Sequence, residues 1–190
     1  MKFGDWINRK RHNRGFGIQS PSAFFFITQV LREKLPYYAY KEIDRATDID
    51  RRYAKELFRI TNYTHPANCI AVSSATAAQA MKAARPAAPF FSLETGTVEG
   101  FAETIAKCGN VGLLYIGQTA LREVILETAL AHTNNRSAII VEGIDKDKAS
   151  REWWQQIIND PRTIVTYDMH RYGLILFDDE KKKQNYKLKR

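Results

Sequence analysis

From Cys69 to Phe177 the chain alternates short apolar runs with longer segments whose apolar residues recur at helical spacing. A run of four to six apolar residues is a strand covered on both faces, and an amphipathic segment after it is the helix that covers it. Repeated βα units of this kind close into a largely parallel sheet with helices against it. The pattern predicts strands over 69–73, 89–94, 111–117, 137–142, 163–168 and 173–178, with helices over 75–85, 98–108, 118–132 and 148–158. Between the last two strands only Met169-His170-Arg171-Tyr172 intervenes. A parallel crossover needs about a dozen residues, so these strands are expected to form an antiparallel hairpin.

Ahead of the sheet, Ser20-Pro21 reads as an N-cap and a proline in the first helical turn, opening a helix through Phe24, Phe25, Phe26, Ile27, Val30 and Leu31 to about Leu35-Pro36. Two more helices are expected over 37–49 and 50–63, the second with Tyr53, Leu57, Phe58 and Ile60 on one face. Thr64-His65-Pro66-Ala67-Asn68 ends that pattern. The expected organisation is an N-terminal helical extension over 1–66, packed on an α/β domain over 67–190 as one unit.

The net charge of +8 belongs to the two ends: residues 1–14 hold five Lys/Arg against one Asp, and residues 180–190 hold six against one Glu. Clustered terminal cations suit solvent or a phosphate backbone. The last residues alternate apolar and cationic side chains and are expected to add a strand beside the hairpin, its lysines guarding that edge. No apolar run approaches the roughly 18 residues that span a bilayer. The start, Met-Lys-Phe-Gly-Asp-Trp, has no apolar core of a secretion signal. Cys69 and Cys108 lack metal or disulfide spacing, so a cytoplasmic address and no membrane partner are expected. The four histidines share no spacing suited to a metal site, and of Trp153 and Trp154 one is expected to pack on the sheet.

Open α/β sheets bind ligands at the carboxyl ends of their strands, where glycines in the first βα turn let a nucleotide approach the backbone. That turn, Val72-Ser73-Ser74-Ala75-Thr76-Ala77, holds no glycine. Its hydroxyls and the helix amides behind them are donors suited to an anion, and equally ordinary helix caps. Glu94, closing the second strand, stands where a carboxylate accepts ribose hydroxyls. Glu142 and Asp145 place an acidic pair at another strand end.

With these elements in place the chain resembles a bacterial group of class I S-adenosylmethionine (SAM) methyltransferase-like proteins over nearly its whole length. The likeness is carried by Gly15-Phe16-Gly17-Ile18-Gln19-Ser20-Pro21 with Phe24, by Pro36-Tyr37-Tyr38-Ala39-Tyr40-Lys41-Glu42-Ile43 and by Leu57-Phe58-Arg59-Ile60. It continues through Trp154, Thr166-Tyr167-Asp168, Gly173-Leu174-Ile175-Leu176-Phe177 and Lys183-Gln184-Asn185-Tyr186-Lys187-Leu188. The resemblance implies a Rossmann-like sheet ending in the antiparallel hairpin, with SAM as cofactor; no metal is expected, because the histidines and cysteines lack ligand spacing.

The chain departs from that group at the cofactor's own positions. An acid and two glycines around the first strand become Ala71, Ser73 and Ala77, and the paired aspartates followed by isoleucine and histidine become Glu142-Gly143-Ile144-Asp145. The aspartate and histidine expected beyond the family's fourth strand are missing from Leu114-Tyr115-Ile116-Gly117-Gln118-Thr119-Ala120. Thr95 to Asn110 leaves room for one helix, so the family's third strand is expected to be absent and the second strand to become an edge open to a second copy or a protein partner. The surviving cofactor-binding candidates are Ser73, Ser74, Thr76, Glu94, Gly117 and Glu142, with no catalytic residue assigned. Three readings follow: a pseudoenzyme that binds or scaffolds through an eroded SAM site, an active methyltransferase with an altered loop, and a nucleic-acid binder using its basic ends.

Overall fold

The computed structural model describes residues 17–45, 49–94 and 97–188. The basic stretch 1–14, the residues Gly15 and Phe16 of the family likeness, and Lys189 and Arg190 lie outside them. Seven strands form one sheet in the order β2-β1-β3-β4-β6-β5-β7. They are β1 Cys69–Val72, β2 Phe90–Leu93, β3 Leu113–Ile116, β4 Ala138–Glu142, β5 Val165–Asp168, β6 Tyr172–Leu176 and β7 Gln184–Lys187. The first four are parallel to one another, β6 runs against both β4 and β5, and β7 lies parallel to β5. This is the Rossmann-like α/β architecture, closed by the antiparallel hairpin the short 167–173 connection requires.

Strands β1, β3 and β4 are buried at every position, as central parallel strands covered on both faces must be. Alternation along each strand divides the core in two. Ala71, Tyr115, Ile140 and Leu174 join the N-terminal helices on one face, while Ile70, Val72, Leu114, Ile139 and Ile175 join the helices of the other. The first face is covered by α3 (Arg51–Thr64) and α4 (Ala75–Ala84); the second by α5 (Val98–Cys108), α6 (Arg122–Leu130) and α7 (Lys148–Asn159). Tyr53, Leu57, Phe58 and Ile60 of α3 share one buried cluster with the sheet.

Among the described residues α5 alone connects β2 to β3, and β2 is the edge strand, half-buried along most of its length. At the opposite edge the tail becomes β7, with Tyr186 stacked on Tyr167 at 5.2 Å between ring centroids. Its lysines grip the body: Lys183 Nζ donates to the Thr163 carbonyl at 2.8 Å, and Lys181 pairs with Asp178 at 2.7 Å. Trp154 of α7 is buried, while Trp153 is partly exposed beneath the Arg122 guanidinium.

The N-terminal segment departs from its expected helices. The first, α1 (Pro21–Phe25), is capped by the Ser20 hydroxyl and widens into a π-helical stretch, Phe26–Leu31, ending four residues short of Leu35. Arg59 accounts for the stop: its Nε and Nη2 donate to the carbonyls of Val30 and Leu31 at 2.7 and 2.9 Å, and Nη1 donates to Tyr40 Oη at 3.0 Å. Those carbonyls, orphaned by a helix end, are satisfied by a side chain from a helix far along the chain. The expected helix over 37–49 contracts to α2, Tyr40–Ile43, because Tyr37 and Tyr40 turn their rings onto Phe58 at 5.2 and 5.7 Å; residues 46–48 lie outside those described. Helix α3 matches its expectation, with Asp50 accepting from the Arg52 and Tyr53 amides and a left-handed His65 ending it.

Candidate functional site

The carboxyl ends of β1, β3 and β4 meet where an open α/β sheet places its ligand. At the end of β1 Ser73 takes φ 57°, the left-handed turn a glycine would make without strain. So the turn keeps the backbone of a glycine while carrying a side chain. Its amide donates to the Leu93 carbonyl at 2.9 Å, tying the turn to β2.

Gly117, just past β3, donates to the Val72 carbonyl at 2.9 Å and is pressed against that turn. A β-carbon on it would stand 2.6 Å from the Ser73 carbonyl oxygen. Its close approach is therefore to neighbouring chain, not to open space.

Ser74 is the N-cap of α4, its hydroxyl accepting from the Ala77 amide at 3.1 Å. Thr76 is buried in the first turn of the same helix. Glu142, the last residue of β4, is buried and accepts from Tyr115 Oη at 2.9 Å. The side chains of Ser74 and Tyr53 lie close to the same Tyr115 hydroxyl. Tyr53 in turn stacks on Tyr172 of β6 with 4.6 Å between centroids. A tyrosine from β3 thus joins the turn after β1, the end of β4 and helix α3.

Glu94 stands apart. It is exposed beyond the edge strand, three strand spacings from Glu142 in the sheet order, or about 14 Å. Of the six candidates, Ser74 and Glu142 both lie beside Tyr115, Ser73 and Gly117 meet through backbone, and Glu94 stands apart at the edge.

Burial drives the Tyr115 hydroxyl far above its ordinary value of 10.0, with the Glu142 charge adding to the effect. Burial does the same to Tyr53, reinforced by Tyr115, Tyr172 and Glu142, and to Tyr167 beneath Tyr186. A group whose folded value is raised contributes stability that is complete below its unfolded value, about 10, and is lost as pH rises beyond it. In an alkaline titration the hydroxyls of Tyr53, Tyr115 and Tyr167 are therefore expected to ionise only as the fold is lost. The buried fraction of the 295 nm tyrosinate absorbance should then appear together with the loss of far-ultraviolet circular dichroism. Full tyrosinate amplitude with the dichroism intact would contradict it.

Sequence reasoning passed over Tyr115, whose alternation with Ala71 and Ile140 marked it only as core. It also passed over a second constellation beside the first. His170 lies in the β5–β6 turn at φ 70°, and its Nδ1 stands 2.6 Å from Asp145 Oδ2, while Arg151 donates to Asp145 Oδ1 at 3.0 Å. An aspartate orienting an imidazole is the geometry of a general base. With Gln118, Glu142, Gly143, Lys146 and Arg171 these residues line a cavity of about 200 Å³, room for only a few heavy atoms and below the usual range of organic ligands. Only the hairpin brings residue 170 to residue 145, so spacing held no signal of the pair.

Among the described residues no group of three or more His, Cys, Asp or Glu side chains is arranged to hold a metal ion, and no helix is long and apolar enough to cross a membrane. Fold and site together define a Rossmann-like α/β protein with a tyrosine-linked carboxyl face. Compared with the models of known protein families and with curated proteins, the chain matches none.

Proposed function

We propose that this chain is a methyltransferase-like binding protein: a Rossmann-like body whose SAM cleft has been taken over by its own side chains and which acts by binding or scaffolding, not methyl transfer. The observation that carries the reading is the buried Tyr115 hydroxyl donating to Glu142, with Ser74 and Tyr53 close beside it. A nucleotide reaching for the turn and for Glu142 has to break that bond and displace a side chain that is 0% exposed. Each buried polar group left unpaired costs about 1–3 kcal/mol, comparable to much of a weak ligand's affinity. The substitution of both family glycines by Ser73 and Ala77 works in the same direction, since each β-carbon occupies the space a close-approaching phosphate or ribose needs.

Isothermal calorimetry with SAM and with S-adenosylhomocysteine tests the reading. No heat and no thermal shift are expected at millimolar ligand. Saturable binding below about 100 μM that Glu94→Ala weakens tenfold, about 1.4 kcal/mol, would replace this proposal with the active enzyme.

A further inference from the structure

A second cavity, whose lining does not include Tyr115, Glu142 or Ser74, lies between the N-terminal segment and the hairpin. Its volume is about 830 Å³, within the range of sites that enclose a small organic ligand. One wall is a single face of α3: Arg52, Lys55, Glu56 and Arg59 recur at helical spacing toward the cavity, while Tyr53, Leu57 and Ile60 of the same helix go to the core. The π-helical stretch and the loop after it form the opposite wall and add Arg32, Glu33 and Lys34. The floor is apolar, from Ile27, Leu31, Pro36, Met169 and Leu188.

Charge is the informative feature. Five cationic side chains line this space against two acids. Glu33 Oε1 is engaged by the amides of Lys34 and Leu35 at 3.1 and 3.2 Å. Lys55 is paired with Asp44 at 2.7 Å. Arg59 is hydrogen-bonded to two carbonyls and a hydroxyl, all neutral acceptors. Among the described residues Arg32, Lys34 and Arg52 form no ion pair. Like charges gathered around one space repel, and the cations that line this one outnumber its acids. A guanidinium presents a fork matched to carboxylate and phosphate oxygens.

We infer that this cavity binds a small amphipathic anion, with its phosphate or carboxylate head at Arg32, Lys34 and Arg52 and its apolar body along Ile27, Leu31 and Met169. The π-helical stretch stops at Leu31, where Arg59 takes its last carbonyls, and Arg32, Glu33, Lys34 and Pro36 then line the space, in keeping with the frequent association of such turns with function. The site is independent of the SAM cleft and stands whether or not that cleft takes a nucleotide.

Calorimetry of the full chain tests it with decyl phosphate, decanoate, inorganic phosphate and decyltrimethylammonium, each below its micelle concentration. Saturable binding of a decyl anion is expected, weaker by roughly three- to fourfold for each methylene removed, with neither inorganic phosphate nor the decyl cation approaching it. The double variant Arg32→Glu, Arg52→Glu changes only exposed side chains and should weaken the anion tenfold or more with the circular dichroism unchanged. Lys34→Glu is a separate variant with the same expected direction. Tighter binding of decyl phosphate assigns the site to phosphate esters, and tighter binding of decanoate assigns it to carboxylic acids. Equal binding of anion and cation, undiminished affinity in both variants, or no binding of any probe would overturn the inference.

Discussion

Gly173→Ala is expected to cost about 3 kcal/mol, at the upper end of what overpacking a core removes and a large share of a typical 5–15 kcal/mol total. Gly173 lies in β6 under the indole of Trp154. A β-carbon there would fall 2.2 Å from Trp154 Cη2 and 2.4 Å from Cζ3, against the 3.5–4.0 Å at which carbons rest. The ring cannot swing aside cheaply, since Trp154 is 2% exposed and sits in the cluster with Ile139, Ile157, Ile175 and Phe177. Trp154 Nε1 has no hydrogen-bond partner among the described residues, so shrinking the indole strands no polar group. Trp154→Leu alone should therefore destabilise through lost contact and cavity formation, by about 2–4 kcal/mol. Combined with Gly173→Ala it should cost at least 1 kcal/mol less than the sum, because the new methyl fills part of the cavity. Urea unfolding of the two single variants and the double variant measures this. Strict additivity would mean that the two residues do not share a packing site.

Gly117→Ala is expected to cost about 2–3 kcal/mol in purified protein with no ligand added. Its β-carbon would lie 2.6 Å from the Ser73 oxygen and 2.9 Å from the Val72 oxygen, both backbone atoms at the end of a central strand. Neither can retreat without pulling β1 from β3, and the Gly117 amide is already bonded to the Val72 carbonyl. The strain would also reach Tyr115, two residues upstream, so the hydroxyl contacts with Glu142 and Ser74 should loosen. A glycine kept only to admit a cofactor would tolerate alanine in the unliganded protein. An unchanged urea midpoint would therefore restore Gly117 to the ligand-binding role its position in the fold suggests.

Much of the fold was legible because its signals are local. Runs of apolar residues set β1 through β6, and an apolar stripe with an N-cap set α3. The four-residue connection set the hairpin, and the short stretch after Glu94 left room for one helix. The candidate site was less so. Ser74 could be read as a cap or as a ligand donor; in the structure its hydroxyl accepts from the Ala77 amide and meets Tyr115. Glu94 and Glu142 both close strands, yet three strand spacings part them, and only sheet order contains that distance.

The early helices show the same division. Apolar spacing from Phe24 to Leu31 marked a helix correctly, but its end depends on Arg59, 28 and 29 residues away from the carbonyls it takes. Periodicity over a dozen residues carries no trace of such a partner. What the amino-acid sequence determined by itself was the set of elements and their order, because hydrophobic period, capping and loop length act between near neighbours. What only the tertiary structure decided was which polar groups meet: Tyr115 with Glu142 and Ser74, His170 with Asp145, and the cations of α3 with those after the π turn. Those meetings depend on the sheet bringing distant segments to one edge, where a hydroxyl or a charge finds the partner that burial requires.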